Sequence, residues 1–405
     1  MQLKLLNFHK VLSLFASNIV GAFIALIIYQ STQSFAWAFV YMIGFQLLKV
    51  LFSQLLYKPM QRKPQLFLLL TVIPFLIYSL SILLLDTDLK LLGIFLVLIF
   101  QALSDSFKEL PMDFVYNYCS NGDSSSTGLT RFFEYLGKII AFFVGGLLLD
   151  YLAKWIVVIV ACTTYLISVV PLYIYYLKNK HKSGFNVEGI SNAVESFRKI
   201  RIKKRQLNVI SKKVLATYFF VYFVFCAFDA MQMIFSLYLF KVSAESYSYS
   251  SYIQIACTVA MAIGIYLSGK WDEKKDLTKY VCFCSVIVGV LSIVVPFVTQ
   301  AMWLVVILFA IMGFFLSTIS LFCYSRMVSR CTILGRSNTA LLIRMQSSRI
   351  SQIFMYIIAT IFSATIIPAF FAIGTMMISG AYVIPQGEEY TRNMMVDYLN
   401  NNKMY

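Results

Sequence analysis

Long apolar runs recur along the chain, each of about 20 residues, which is the length an α-helix needs to cross the hydrocarbon core of a bilayer. Two examples are VLSLFASNIVGAFIALIIY near the N-terminus and VCFCSVIVGVLSIVVPFV in the second half. Such runs indicate helices and not the shorter, alternating strands of a membrane barrel. The pattern predicts an all-α polytopic membrane protein with twelve transmembrane helices near residues 10–30, 35–57, 65–85, 90–110, 130–150, 155–177, 214–240, 249–270, 278–298, 302–325, 337–361 and 364–384.

The longest polar stretch, residues 178–213, separates the sixth predicted span from the seventh. It contains ESFRKIRIKKRQLNVISKK, in which apolar residues recur at roughly helical spacing. Two interpretations are open: a basic amphipathic helix on the inner leaflet, or a solvated basic linker. In both, a six-helix bundle, 1–177, is joined by a cytoplasmic linker to a second six-helix bundle with a short cytoplasmic tail, 214–405.

Lysine and arginine fall mostly in loops on one side of the predicted bundle. That side carries the N-terminus and the loops after spans 2, 8 and 10, whereas the opposite loops hold only Lys90, Lys154 and Lys241. Loops rich in Lys and Arg face the cytoplasm, so we predict a multi-pass protein of the plasma (cell) membrane with both termini cytoplasmic. The net charge of +16 follows from this bias and from attraction to anionic lipid headgroups, so no nucleic-acid partner is expected.

Two loops in corresponding places are similar in sequence. CSNGDSSSTGLT begins at Cys119 and CTILGRSNTALL begins at Cys331, an offset of 212 residues. At nearly the same offset, Asn18 in the first span corresponds to Asp229 in the seventh. A common offset around one central linker indicates an internal repeat of two six-helix halves.

The loops after spans 2 and 8, SQLLYKPMQRKPQ and SGKWDEKKDLTK, carry the resemblance to a known family. The chain resembles the major facilitator superfamily, whose G-x-L-A-D-R-x-G-R-K signature follows the same two spans. Asp272 takes the acidic position of the second copy and Glu273 replaces its Arg, while Tyr57 stands where the first copy expects Asp. The resemblance implies two bundles related by a pseudo-twofold axis along the membrane normal. It also implies a cytoplasmic gating role for Lys58, Arg62, Asp272 and Lys275.

The stretch TGLTRFFEYLGKIIAFFVGGLLLD places ionisable groups inside an apolar span. Glu134 and Lys138 are four residues apart, so they share one helix face, which must avoid lipid. This face is either a structural ion pair that locks helices together or the wall of a substrate cavity. The stretch also resembles the family's fifth span, a glycine-containing helix at the bundle interface, through Gly137, Gly145 and Gly146.

Other spans also carry polar groups, and the family resemblance implies that they converge on a central cavity. Asp229 and Arg349 lie nearest the middle of their helices, where a charge costs about 2.5–3.5 kcal/mol on insertion scales. We predict that they come close enough to interact in at least one state, as a fixed structural pair or as a proton-coupling pair. The predicted substrate and proton pathway consists of Asp229, Arg349, Lys138, Glu134, Asp105, Lys49, Arg344 and Gln101.

Missing motifs exclude several kinds of chemistry. The sequence has no G-x-x-x-x-G-K-[ST] or G-x-G-x-x-G loop, so neither ATP nor a dinucleotide is expected. The eight cysteines form no C-x-x-C pair, and the two histidines, His9 and His181, lie outside the predicted spans. We therefore expect no cofactor, no metal and no enzymatic activity.

The function that fits these observations best is proton-coupled export of a lipophilic or amphipathic small molecule by alternating access. The 36 Phe and 26 Tyr favour apolar, aromatic walls, and the basic residues of the spans allow an anionic group on the substrate. Asp229 is the predicted proton carrier, with Glu134 or Asp105 as the second choice. The expected partners are the substrate, protons and membrane lipids, and a monomer is expected. A flippase for a lipid-linked or amphipathic molecule is the alternative, and a polytopic membrane enzyme or a non-transporting sensor ranks lower.

Overall fold

α-Helices make up almost all of the chain that this computed structural model describes, which is residues 2–120, 124–179, 204–268, 277–333, 337–362 and 365–403. The helices of the first half are α1 (Gln2–Gly21), α2 (Ile24–Thr32), α3 (Phe35–Leu55), α4 (Tyr57–Arg62), α5 (Pro64–Leu70), α6 (Val72–Ser81), α7 (Lys90–Ser120), α8 (Ser124–Tyr151) and α9 (Lys154–Asn179). Those of the second half are α10 (Lys204–Phe225), α11 (Ala227–Val242), α12 (Tyr247–Ser268), α13 (Thr278–Val294), α14 (Met302–Ile333), α15 (Ser337–Ile361) and α16 (Ile367–Lys403).

Eleven of the predicted spans are confirmed as helical segments that are long and apolar enough to cross a membrane. The twelfth prediction, 337–361, coincides with α15, which is long enough but more polar than the others. The hydrophobic run of α15 is interrupted by Arg344 and Arg349, and the helix packs between α3 of the first half and α10 of the second. The predicted fold class, an all-α polytopic bundle, is confirmed.

The first span of each half is broken into two helices. α1 and α2 are separated at residues 22–23, and α10 and α11 are separated at Cys226. The break in the second half places Asp229 in the first turn of α11. His9, which was expected outside the spans, is buried in α1, where its Nδ1 lies 2.7 Å from the carbonyl oxygen of Ser168 on α9.

Some helices continue beyond the ends that hydropathy predicted. α16 runs to Lys403, well past the predicted end of the last span. Its extension is tied to α14, because Arg330 pairs with Glu388 at 2.6 Å and donates a hydrogen bond to Thr391. α9 and α10 also enter the predicted linker, 178–213, from its two ends, and residues 180–203 lie outside the described ranges.

The two halves meet mainly along two helix pairs, α8 with α12 and α3 with α15. At the first pair, a Cβ added to Gly146 would lie 2.9 Å from the Cα of Ser248, so only glycine permits this approach. Gly137 and Gly145 pack instead on α1 of their own half, where an added Cβ would meet backbone oxygens of Val11 and Ile19 at 2.9 and 2.8 Å. Of the three glycines expected at the bundle interface, Gly146 lies there.

Candidate substrate cavity

A cavity of about 430 Å³ lies between the two halves, with walls from α1, α3, α7 and α8 on one side and α10, α11, α12, α14 and α15 on the other. Its charged lining residues are Lys49, Glu109, Lys138, Asp229, Arg344 and Arg349. Its aromatic lining residues are Tyr135, Phe142, Tyr222, Phe225 and Tyr324. Ligand pockets usually measure about 300–1,000 Å³, so this amphipathic cavity can enclose a small organic molecule.

Lys49 on α3 is the centre of an ion-pair network at the cavity wall. Its Nζ lies 3.2 Å from the carboxylate of Asp105 and 2.7 Å from that of Glu109, both on α7. Glu109 also accepts a hydrogen bond from Nη2 of Arg349 at 2.6 Å. Arg349 donates two more, to the backbone oxygen of Lys49 at 2.7 Å and to the hydroxyl of Ser53 at 3.0 Å. Because Arg349 belongs to the second half, Glu109 joins the two halves.

A second ion pair connects the same two helices, α7 and α15. Nη2 of Arg344 lies 2.9 Å from the carboxylate of Asp113, and the guanidinium group lies over the ring of Tyr324 at 4.9 Å. Asp105, Glu109 and Asp113 are spaced four residues apart, so they share one face of α7. α7 therefore presents a line of carboxylates, two of which pair with arginines of α15.

Glu134 and Lys138 form the predicted pair on α8, with 3.0 Å between the charged atoms. Glu134 also pairs with Lys10 of α1 at 3.1 Å. A smaller cavity of about 340 Å³ lies against these residues, is lined mainly by the first half, and shares Lys138 and Arg344 with the central cavity. The buried Lys108 lines the smaller cavity, and its Nζ lies 3.9 Å from Asp105.

Asp229 is exposed to the central cavity, and among the described residues it is held by two long hydrogen bonds. It accepts from the hydroxyl of Ser348 at 3.5 Å and from Nε2 of Gln352 at 3.4 Å. Oε1 of Gln352 in turn accepts from Gln46 of α3 at 2.6 Å. Asp229 makes no ion pair with any residue that the structure describes. Arg349 pairs with α7 instead, so the predicted Asp229–Arg349 interaction is not formed here and stays a prediction for another state.

Three predicted pathway residues, Gln101, Asp105 and Glu134, line the smaller cavity and are not part of the lining of the central one. Gln101 packs among helices of the first half. It accepts a hydrogen bond from the hydroxyl of Tyr41 and donates one to the backbone oxygen of Gly21 at 3.4 Å. These contacts place Gln101 at the wall of the smaller cavity, among α1, α3 and α7. Its amide therefore ties helices of the first half together where the first span is broken.

The predicted gating residues lie outside the cavity or outside the described ranges. Lys58 and Arg62 are exposed on the short helix α4. Asp272 and Lys275 lie in the stretch 269–276, which the structure does not describe. The gating role of these four residues therefore stays a prediction.

Four charged residues of these networks were not among the predicted site residues: Lys10, Lys108, Glu109 and Asp113. The spacing of the two acids from Asp105 is a sequence signal that could have identified them. Lys10 has no such signal, because its basic side chain near the start of the first span is typical of an interfacial anchor.

Two buried polar atoms at the cavity wall have no hydrogen-bond partner among the described residues: Oε1 of Gln46 and the hydroxyl of Tyr222. Buried polar atoms are nearly always bonded in folded proteins, so these two mark places where the described residues leave a hydrogen bond unmade. In the described part of the chain, no group of three or more His, Cys, Asp or Glu side chains is arranged to hold a metal ion.

The end of the bundle that carries the α2–α3 and α11–α12 turns is called the outer end. There, Asp150 of α8 accepts hydrogen bonds from the backbone N–H groups of Tyr247 and Ser248, the first residues of α12, at 2.7 and 3.0 Å. The hydroxyls of Ser246 and Ser248 also donate to Asp150. Asp150 therefore caps a helix of the opposite half, and this set of contacts is called the outer latch.

Two further hydrogen bonds join the halves beside the outer latch. Tyr247 donates its hydroxyl to Gln30 at 2.7 Å, and Gln33 donates to the carboxylate of Glu245 at 2.8 Å. Gln33 and Glu245 both have positive φ, 54° and 65°, at the tight turns that bring their side chains together. These contacts join the two halves at the outer end.

No protein-family model and no curated protein matches this sequence. Solved structures do match over nearly the whole chain. The chain is similar to a bacterial homologue of the iron transporter ferroportin in its outward-facing state, with a TM-score of 0.66, 9% identity and coverage of 97% of this chain and 100% of that one.

Two further structures have the same architecture. For the nucleoside transporter NupG the TM-score is 0.63 and the identity 13%, with 97% of this chain and 99% of that chain covered. For the E. coli fucose:proton symporter FucP the TM-score is 0.55 and the identity 14%, with 96% of this chain and 98% of that chain covered. All three are transporters and not enzymes. At these identities the likeness establishes the fold, and the chain therefore has the major facilitator fold that its sequence resemblance implied.

Proposed function

We propose that this protein is a secondary transporter that moves an amphipathic small molecule across a membrane by alternating access. The observation that carries the proposal is the cavity between the halves, whose two inter-half ion pairs, Arg349–Glu109 and Arg344–Asp113, can break and re-form as the halves move. The fold gives further support, because the similar structures include a proton symporter, a nucleoside transporter and an iron-transporter homologue. Aromatic rings and charges in one cavity suit a substrate with an apolar body and a charged group.

Protons are the proposed driving ion and Asp229 the proposed carrier, with export from the cell as the direction. Protonating Glu109 would break its ion pairs with Lys49 and Arg349, whereas Asp229 has two long hydrogen bonds to lose among the described residues. Asp229 can therefore accept and release a proton without dismantling the cavity wall. Its place after the helix break also exposes it to the cavity.

Asp229→Asn is expected to abolish uphill, proton-driven transport while leaving folding and downhill exchange intact, because the amide keeps the shape of the side chain but cannot titrate. Purified protein would be reconstituted in liposomes that contain a pH-sensitive dye and given an imposed pH gradient. The test compounds would share one short alkyl chain and differ only in an anionic, cationic, zwitterionic or neutral head group.

The matched control is Asp86→Asn, which removes a carboxylate that is paired with Lys154 at 2.8 Å outside the cavity. This variant should behave as wild type. If Asp229→Asn still concentrates a transported compound against its gradient at the normal rate, Asp229 is not the proton carrier. If the wild-type protein transports none of the compounds and none of them drives proton movement, the transporter proposal fails for this substrate class.

The charge distribution also makes a topological prediction: both termini and the linker face the cytoplasm. In a cysteine-free background, a cysteine at Thr87 should react with an impermeant thiol reagent added to intact cells, because its loop lies on the side that is poor in Lys and Arg. A cysteine at Ser183 should react only after the cells are permeabilised. The reverse labelling pattern would contradict the proposed orientation.

A further inference from the structure

Lys108 on α7 is a buried ammonium group that uses little of its hydrogen-bonding capacity. Its side chain is only 9% exposed and lines the smaller cavity. Nζ donates a hydrogen bond to the hydroxyl of Ser17 on α1 at 2.7 Å. The carboxylate of Asp105 is 3.9 Å away, which is beyond hydrogen-bond distance. Since an ammonium group has three N–H donors, two of them have no acceptor among the described residues.

Lys108 belongs to a group of ion-paired side chains from α3, α7 and α15, which is called the α7 cluster. The cluster consists of the carboxylates of Asp105, Glu109 and Asp113 and the cations Lys49, Lys108, Arg344 and Arg349. Each carboxylate has a cation other than Lys108 within 3.2 Å. Four cations against three carboxylates leave one positive charge in excess, and the distances place it at Lys108.

The other charged residues nearby do not supply the missing counter-ion. Lys10 and Lys138 also line the smaller cavity, but both pair with Glu134 and have further partners of their own. Asp229 lines the central cavity and not the smaller one. Neither Glu134 nor Asp229 forms an ion pair with Lys108. A charge buried in a membrane bundle persists when it is paired, hydrated or needed, so the smaller cavity is suited to an anion.

We propose that the smaller cavity binds the carboxylate group of a monoanionic organic acid, and that Lys108 is the residue that holds it. This inference rests on the proposed function, because it names the chemical class of the molecule that is carried and the place where its head group binds. One excess positive charge matches a carboxylate, whereas a doubly charged phosphate would leave a negative charge unmatched. Ser17 keeps Nζ in place, since its hydroxyl accepts from Lys108 while donating to the backbone oxygen of Leu14 at 3.3 Å.

The remaining lining of the smaller cavity suits an apolar body on this acid. Its apolar members are Leu14, Ala22, Phe45, Met112 and Met345. The volume of about 340 Å³ falls in the usual range for organic ligands, and a small inorganic anion would leave most of this apolar surface uncovered. Met345 also lines the central cavity, so the body of a bound acid can extend from one cavity toward the other.

The experiment uses one apolar body with four different head groups. The probes are 3-phenylpropanoate, 3-phenylpropanamide, 3-phenylpropylammonium and 2-phenylethyl phosphate, and their binding to the purified full chain in detergent is measured by calorimetry. The carboxylate should bind at least about tenfold more tightly than the amide, because its hydrogen bond to the ammonium group is charged at both ends. The ammonium probe should bind no more tightly than the amide.

Two variants should change the affinity for the acid in opposite directions. Lys108→Met keeps an unbranched side chain without the charge, so 3-phenylpropanoate and its amide should bind alike. Asp105→Asn removes a like charge close to the bound acid, so the acid should bind at least about threefold more tightly while the amide is unaffected. Lys154→Met is the matched control, because it removes a lysine that pairs with Asp86 outside both cavities, and it should leave all four affinities unchanged.

Several outcomes would overturn the inference. They are equal binding of the acid and the amide to the wild-type protein, tighter binding of the phosphate than of the carboxylate, an equal effect of Lys108→Met on acid and amide, and no binding of the acid at millimolar concentration. If Lys108→Met does not fold, Asp105→Asn decides, and an unchanged or weaker affinity for the acid would contradict the inference.

Binding is measured without transport, so the two proposals can fail separately. Acid-selective binding without flux in liposomes would contradict the transporter proposal and leave this inference standing. Flux of cationic or neutral compounds, with none of the acid, would contradict this inference alone.

Discussion

Glu109→Gln is expected to lower the free energy of unfolding by about 3 kcal/mol, because it leaves a buried arginine without its counter-ion. The side chain of Arg349 is only 4% exposed, and its remaining partners, the Lys49 backbone oxygen and the Ser53 hydroxyl, are neutral. Glu109 itself is partly open to the cavity, which keeps the effect near the low end of the range for buried pairs. Lys49 is less affected, since it retains Asp105 at 3.2 Å.

The stability of purified protein would be followed by unfolding in mixed micelles of a mild detergent and dodecyl sulfate. The double variant Glu109→Gln with Arg349→Met should recover most of the loss, because a buried pair can often be replaced by uncharged groups at little cost. Asp86→Asn breaks a half-exposed pair and should cost less than about 1 kcal/mol. Equal destabilisation by Glu109→Gln and Asp86→Asn would show that Glu109 does not anchor Arg349.

Asp150→Ala is expected to open the outer end of the cavity. The substitution removes the acceptor of two backbone N–H groups at the start of α12 and of the neighbouring hydroxyls. Losing such a charged cap costs about 2 kcal/mol, which corresponds to a roughly 30-fold shift between outer-closed and outer-open states. The hydrogen bonds of Gln30 and Gln33 to α12 and its preceding turn would remain.

The shift can be measured with a cysteine at Ser320, which lines the cavity, in a cysteine-free background. An impermeant thiol reagent added from outside should label this cysteine much faster when Asp150 is replaced by Ala. Asp86→Asn, which removes a carboxylate from the same end of the bundle, serves as the matched control. An unchanged labelling rate in Asp150→Ala would mean that the outer latch does not hold the closed state.

The fold was predictable because a run of about 20 apolar residues has few stable alternatives in a membrane other than a helix. Helix ends were harder to predict, since hydropathy marks the bilayer and not the end of a helix. α7 continues past Pro111 to Ser120, and α16 continues through polar sequence to Lys403. Contacts with neighbouring helices, such as Arg330 with Glu388, keep such extensions helical.

The candidate site was only partly predictable. A charge inside an apolar run must face the protein interior, and this reasoning placed Lys49, Lys138, Asp229 and Arg349 at the cavity. The pairing of these charges depends on contacts between residues about 240 positions apart, such as Glu109 with Arg349, and a single sequence does not show them. The internal repeat predicted the two six-helix halves but not the ion pairs of the charged residues. Asn18 and Asp229, for example, occupy corresponding positions but differ in charge.

The polarity of α15 has a consequence for how the protein is made. Arg344 and Arg349 would each cost roughly 2.5–3.5 kcal/mol at the centre of a helix that enters lipid alone. Their counter-ions lie on α7, which is synthesised more than 200 residues earlier. The insertion machinery therefore cannot release α15 into the bilayer as an independent segment at low cost. We therefore expect α15 to insert stably only after the first half is in the membrane, where α7 supplies the counter-ions of both arginines.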